Sequence, residues 1–288
     1  MEPFVLHQPN QQQPELYMLQ PWIKESNRLV AGFTGRGGGI SSWPYQSLNC
    51  AFHVGDKPED VIANRSKVAV SLGFTLDSWT CGEQVHGSHI TVVTHEDIGR
   101  GRLNRETAIQ DTDGLLTQVP GVLLTSFYAD CVPLYFFDPV KQVVGLAHAG
   151  WKGTVAQIAN RMVERMQSEF GCEVRSIHSA IGPSIGSCCY EVDDKVMTYI
   201  HDLEREFEGN KHKDLDLLSQ GYISKDNGKT MLDLKEINRQ IMIKAGILPT
   251  HIECTSWCTS CRNDIYFSYR KDGGTTGRMA SWIGLKER

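Results

Sequence analysis

The amino-acid sequence predicts a mixed α+β sandwich folded as one domain. Three strand-like apolar runs, Leu123–Phe127, Leu134–Phe137 and Val143–Ala147, follow one another too closely for a helical crossover, which argues against pure parallel winding. Four helical stretches are distributed along the same chain, so an all-β fold does not fit either. The 288 residues, 40% hydrophobic and 22% charged, can bury one substantial core, and no linker-like shift in composition divides them.

Taken in order, residues 1–20 are rich in Gln and Pro and are expected to form a flexible arm ahead of a single domain over residues 21–288. Strand-like Leu29–Phe33 leads into the glycine-rich segment Thr34–Ile40. Dinucleotide-binding and P-loop fingerprints both require a helix directly after the glycines, and Ser41-Ser42-Trp43-Pro44-Tyr45 is poor helix material. The segment therefore reads as a turn, with a loop covering a substrate as the alternative. Asp56 and Glu59 read as a capping box before a helix over Val61–Leu72, stopped by Gly73. A strand at His89–Thr94 precedes the three runs named above. Thr154–Phe170 carries Val155, Ile158, Ala159, Met162, Val163 and Met166 at helical spacing. Ile177–Ile181 reads as a strand and Asp193–Phe207 as a helix. Asp233 and Glu236 open a fourth helix that Gly246 closes. The polar stretch 208–230 is expected to be an exposed excursion between those two helices, and Tyr266–Tyr269 a last strand.

Acidic residues outnumber basic ones, 34 against 29, so bulk charge gives no case for nucleic acid or an anionic membrane as partner. No apolar run is long enough to span a bilayer, and the opening MEPFVLHQPNQQQPE lacks a basic-then-apolar signal pattern. A cytoplasmic setting is expected, with the chain a monomer or homodimer. Nine cysteines in such a setting are core fillers, metal ligands or nucleophiles.

Two histidines and one cysteine stand at strand ends or in adjoining loops: His86, Cys131 and His148. Such positions let side chains converge while strands hold them rigidly. Two imidazoles and a thiolate suit zinc, with a fourth position left for water or substrate. Their separations match no compact zinc-finger spacing, and a Cys–His pair also suits a nucleophile with its base. Arg65 falls in the inward stripe Val61, Arg65, Val68, Ala69, Leu72 and needs an anion, either a bound phosphate or carboxylate or a core salt bridge. Arg278 offers a second guanidinium on the turn Gly273–Arg278. Cys258-x-x-Cys261 resembles half a zinc ribbon, but Cys188-Cys189 is not a similarly spaced second pair, so these four are expected to be structural.

Seven segments occur in an order that resembles the laccase-domain, or polyphenol oxidoreductase, family, understood as zinc-dependent purine nucleoside phosphorylases. They are SLNCAFHVGDKPEDVIANR (47–65), GEQVHG (82–87), DTDGLLT (111–117), ADCVPLYFFDP (129–139), GLAHAGWKGT (145–154), IGPSIGSCCYEV (181–192) and CTSCRNDIYFSYRKDGGTTGRMA (258–280). The resemblance spans residues 29–285. It implies two mixed β-sheets packed face to face with helices outside, and zinc held by His86, Cys131 and His148. It also implies phosphorolysis of adenosine, inosine and methylthioadenosine, deamination of adenosine, and phosphate or ribose contacts from Arg65, Arg278, Asn49 and His53. Lys152 stands where many members have Arg, and Cys50 where an aliphatic residue is usual.

A zinc with two neutral imidazoles and one thiolate keeps net positive charge and lowers the pKa of bound water. Asp130, beside Cys131, is the first candidate for the acid or base that deamination needs, and Glu83 the second. Asp130 could instead orient a ligand histidine. Two other readings follow from the same residues. One is a copper-dependent phenol oxidase, although the chain has no His-x-His pair. The other is a metal-free hydrolase with Cys131 as nucleophile and His148 as base.

Overall fold

A computed structural model describes residues 1–8, 10, 12–208, 218–225 and 228–287. The first strands are β1 (Phe4–His7), β2 (Leu16–Leu19), β3 (Leu29–Thr34), β4 (Trp79–Cys81) and β5 (Ile90–Val92). Next come β6 (Gly114–Thr117), β7 (Leu123–Tyr128), β8 (Val132–Asp138), β9 (Val143–Ala149) and β10 (His178–Ile181). The last are β11 (Glu191–Val192), β12 (Tyr222–Ser224), β13 (Thr230–Leu232), β14 (Ile252–Cys254) and β15 (Met279–Leu285). The helices are α1 (Gln20–Glu25), α2 (Pro58–Ser71), α3 (Trp151–Val155), α4 (Ile158–Phe170), α5 (Asp194–Glu208) and α6 (Leu234–Lys244).

Two six-stranded sheets, in the orders β1-β2-β3-β15-β7-β4 and β14-β10-β8-β9-β6-β5, form the body, and β11-β13-β12 make a small third sheet. Parallel and antiparallel pairs are mixed, as the short connections require: β8–β9 is an antiparallel hairpin, while β10–β14, β4–β7 and β5–β6 run parallel. Strand alternation sets the layers. Tyr135, Phe137, Val144 and Leu146 face the first sheet and meet Phe33, Leu124, Tyr128 and Ile283. The alternate residues Leu134, Phe136, Val143 and Ala147 pack under Ile158, Met162 and Met166 of α4 and Ile237 and Ile241 of α6. On the far side of the first sheet, Val68 and Ala69 of α2 and the capping residue Leu72 cover Val30, Phe127 and Trp282. The sandwich is therefore helix, sheet, sheet, helices, with an aromatic-rich core between the sheets. Among the described residues no helix is long and apolar enough to cross a membrane.

Several local expectations need correction. Residues 4–7 and 16–19, expected in a flexible arm, are sheet strands whose Phe4, Leu16, Tyr17 and Leu19 are buried; apolar residues between the glutamines supply that anchoring. Strands β7 and β8, though close in sequence, belong to different sheets, so 129–131 is a crossing between layers. Asp56 does not cap α2; its carboxylate accepts from Lys57 N and Asn49 Nδ2, and Pro58 opens the helix instead. The Thr154–Phe170 helix is interrupted by Gln157 in the left-handed region at φ 55°, splitting it into α3 and α4. Tyr266–Tyr269 is a turn: Tyr266 and Phe267 are buried, but Asp272 accepts from Asn263, Ser268 and Thr276 and folds the chain around itself. Within 208–230, residues 209–217 and 226–227 lie outside the described residues, while 222–224 and 230 are in strands β12 and β13.

Candidate metal centre

Two of the chain crossings between the large sheets meet at one end of the sandwich. The first runs from β4 to β5 and carries His86; the second runs from β7 to β8 and carries Cys131. His148 completes the group from the end of β9, on the same face as Val144 and Leu146, so the strand itself aims it between the sheets. One donor atom from each of the three lies within 4.8 Å of the others. Cys131 Sγ is 3.8 Å from His86 Nε2, and the two imidazoles meet edge to face with ring centroids 4.8 Å apart.

The residue that builds this group is Asp113, which sequence reasoning missed. Its carboxylate meets His148 Nδ1 at 2.8 Å and accepts the backbone N–H groups of Val85, His86 and Gly87 at 3.1, 3.0 and 2.7 Å. One buried carboxylate thus fixes the His148 ring through Nδ1, leaves the other ring nitrogen to Cys131, and holds His86 in the left-handed region at φ 61°. Its position within the DTDGLLT segment, a charged residue opening a fully buried strand, was the signal available. Gly150 is the second missed residue. A Cβ there would sit 3.0 Å from His86 Cδ2 and 3.1 Å from Cys131 Sγ, so only glycine leaves the group room.

The charges suit a metal. Burial alone would raise the Cys131 thiol, but the His148 and His86 imidazoles outweigh it and bring Cys131 from 9.0 down to about 6. Burial would lower His148, yet Cys131 and Asp113 raise it to about 9. Burial would raise Asp113 too, and the His148 imidazole with the Gly87 and Val85 N–H groups holds it below the usual carboxylate range. A thiolate, two imidazoles and a carboxylate behind one of them form a fitting donor set for zinc.

A cavity of about 520 Å³ opens beside the group, lined by His86, Cys131 and His148 and by Phe52, Phe127, Tyr128, Tyr190 and Tyr269. His53, Arg65, Glu83, Asp130 and Arg278 line it as well; Asn49 does not. Arg65 is 1% exposed and has no carboxylate partner among the described residues, contrary to the core salt bridge considered above. It donates to Cys50 O and Gly101 O, both at 2.7 Å, and lies over the Phe52 and Phe127 rings at 4.2 and 4.5 Å. Arg278 donates to Thr276 O and Gly277 O and likewise forms no ion pair among the described residues. Asn49 works from behind the wall: its Oδ1 accepts Arg278 N at 2.9 Å. Enclosure, then the Arg278 and Arg105 guanidiniums, push the His53 imidazole below its usual value, which keeps it neutral. Glu83 is ion-paired with Arg105. Asp130 accepts from Thr259 Oγ1 and from Arg270 N, both at 2.7 Å, and its side chain is turned to those partners.

A family model described as multi-copper polyphenol oxidoreductase laccase matches residues 30–286. The chain is 40% identical over 277 residues to the purine nucleoside phosphorylase YlmD of Bacillus subtilis (strain 168), covering 95% of this chain and 96% of that one. It is 43% identical over 258 residues to the YlmD of Geobacillus stearothermophilus, covering 90% of each. The crystal structure of YlmD from Geobacillus stearothermophilus superposes with a TM-score of 0.89 over the whole of both chains at 40% identity.

Proposed function

The chain belongs to the multi-copper polyphenol oxidoreductase laccase family, and from that membership we propose that it is an enzyme that cleaves purine nucleosides with phosphate, the activity for which its relatives are named. One observation carries the reading. Two guanidiniums without carboxylate partners among the described residues, Arg65 and Arg278, line the same aromatic-walled cavity as the His86, Cys131 and His148 group. Unpaired cations beside flat aromatic faces suit a phosphate and a purine nucleoside together.

In this reading Arg65 and Arg278 hold phosphate against the sugar, and the Phe52, Phe127, Tyr190 and Tyr269 rings enclose base and ribose and exclude water. Bond cleavage yields the free base and ribose 1-phosphate. His53, kept neutral, can accept a hydrogen bond from a ribose hydroxyl. Asn49 acts by fixing the Arg278 backbone. The metal held by His86, Cys131 and His148 is zinc, which supplies Lewis acidity at this end of the cavity. Adenosine, inosine and methylthioadenosine are the expected substrates, with adenosine deamination as a second reaction. For deamination Asp130 and Glu83 are the two proton carriers to test: Thr259 and Arg270 engage the Asp130 oxygens, and Arg105 engages both Glu83 oxygens.

The test is release of hypoxanthine from inosine, with and without phosphate, using protein purified without added metal. Phosphate-dependent release lost on chelation and restored by zinc supports the reading. Activity that survives chelation and disappears on thiol alkylation would replace it with the Cys131–His148 hydrolase, which the thiolate–imidazolium pair also favours. Phenol oxidation by copper-loaded protein, with no nucleoside cleavage, would restore the oxidase reading.

A further inference from the structure

Strands β10 and β14 run parallel, so the chain leaves both in the same direction, and the parallel pairing continues into a bridge between Ser184 and Cys258. Beyond that bridge the two segments bring four cysteines together. Single donor atoms of Cys188, Cys189, Cys258 and Cys261 all lie within 4.8 Å of one another. Cys261 Sγ is 3.5 Å from both Cys188 Sγ and Cys189 Sγ. The vicinal pair, unpromising in sequence spacing, becomes the other half of Cys258-x-x-Cys261 through tertiary structure.

We propose that Cys188, Cys189, Cys258 and Cys261 form a second metal site, a closed four-thiolate zinc site separate from the His86, Cys131 and His148 group. Tetrahedral zinc with Zn–S bonds of about 2.3 Å places its sulfurs about 3.8 Å apart, close to the spacing found here. A disulfide joins two sulfurs, whereas Cys261 stands equally near two. Backbone N–H groups also point at the cluster: Gly186 N lies 3.2 Å from Cys258 Sγ, and the Ser260 and Cys261 amides bond the same sulfur. Donors of this kind stabilise a bound thiolate. Gly186 has a packing reason as well, since a Cβ there would lie 3.3 Å from Cys188 Sγ and 3.4 Å from Cys258 Cβ.

With four protein ligands no position remains for substrate, so the site is structural. On binding, each thiol loses its proton to solvent and its sulfur becomes a ligand. The clamp ties segment 182–190 to segment 255–262. Ile185 and Tyr190 of the first segment line the cavity. Arg270, another lining residue, donates to Cys189 O and Glu191 O, while its own N–H reaches Asp130. The metal would therefore hold one wall of the cavity in register with the crossing that carries Cys131.

Elemental analysis of four proteins, prepared under reducing conditions with zinc and freed of excess metal, tests this. Wild type should hold about two zinc ions per chain, the His86→Ala/His148→Ala variant about one, the Cys188→Ser/Cys261→Ser variant about one, and the combined variant none. X-ray absorption on the His86→Ala/His148→Ala protein should show a shell of four sulfurs at about 2.3 Å. That measurement decides the matter even if the cysteine variant fails to fold. A His86→Ala/His148→Ala protein without tightly held zinc, or with nitrogen in the zinc shell, would overturn the proposal. So would mass spectrometry finding these cysteines joined as disulfides in the reduced preparation.

Discussion

Asp113 meets His148 Nδ1 at 2.8 Å while also holding three successive backbone N–H groups that begin at Val85. The same carboxylate therefore orients one histidine of the candidate metal group through its ring and the other through its backbone. Asp113→Asn should weaken zinc binding about 10- to 100-fold, measured by chelator competition. Asp113→Ala should also destabilise the fold by about 3 kcal/mol, because the N–H groups lose their acceptor. Folding lowers this carboxyl's pKa, so its contribution is full above the ordinary carboxylate range and disappears as pH falls through the lowered value. The Asn variant should therefore show a flatter acid limb in a plot of stability against pH.

Cys131 should behave as a thiolate in metal-free protein at neutral pH. Its alkylation rate, followed by peptide mass spectrometry after chelation, should rise with a midpoint near pH 6, where an ordinary thiol rises near 9.0. Zinc should suppress the reaction. A midpoint near the ordinary value would mean that His148 and His86 do not stabilise the thiolate.

Gly150→Ala tests crowding at the group without disturbing backbone geometry, because Gly150 has φ −72° and alanine tolerates that value. The added methyl group meets His86 and Cys131. Zinc content should fall while the circular dichroism spectrum stays that of the parent.

Arg65→Lys separates charge from shape. Lysine keeps the cation but loses the planar fork that spans Cys50 O and Gly101 O between the Phe52 and Phe127 rings. The KM for phosphate should rise about tenfold, equivalent to about 1.4 kcal/mol, with a smaller change in the KM for nucleoside.

Much of the fold is legible in the chain because alternating and helical apolar patterns are local properties. Strands β8, β9 and β10 and helices α2, α5 and α6 fall close to where the spacing predicts them. The failures share a cause. Tyr266 and Phe267 are apolar because they are buried, not because they are extended, and the Asp272 carboxylate that turns the chain is a contact across several residues. The apolar residues scattered through 1–20 become strands only because β2 pairs with the edge of β3 and β1 then pairs with β2.

At the site, residue chemistry alone made His86, Cys131 and His148 candidates, and the ordered segments around them supported the set. The sequence by itself determined which donors were available, that the sheets are mixed, and that Arg65 points inward. Tertiary structure decided that two crossings between sheets and the end of β9 bring the donors within 4.8 Å, and that a fourth segment supplies Asp113. It likewise decided that Cys188 and Cys189 meet Cys258 and Cys261 across some seventy residues of chain. The physical reason is that convergence depends on how strands pair and in which direction the chain leaves them. Those are relations between distant segments, and spacing along the chain does not record them.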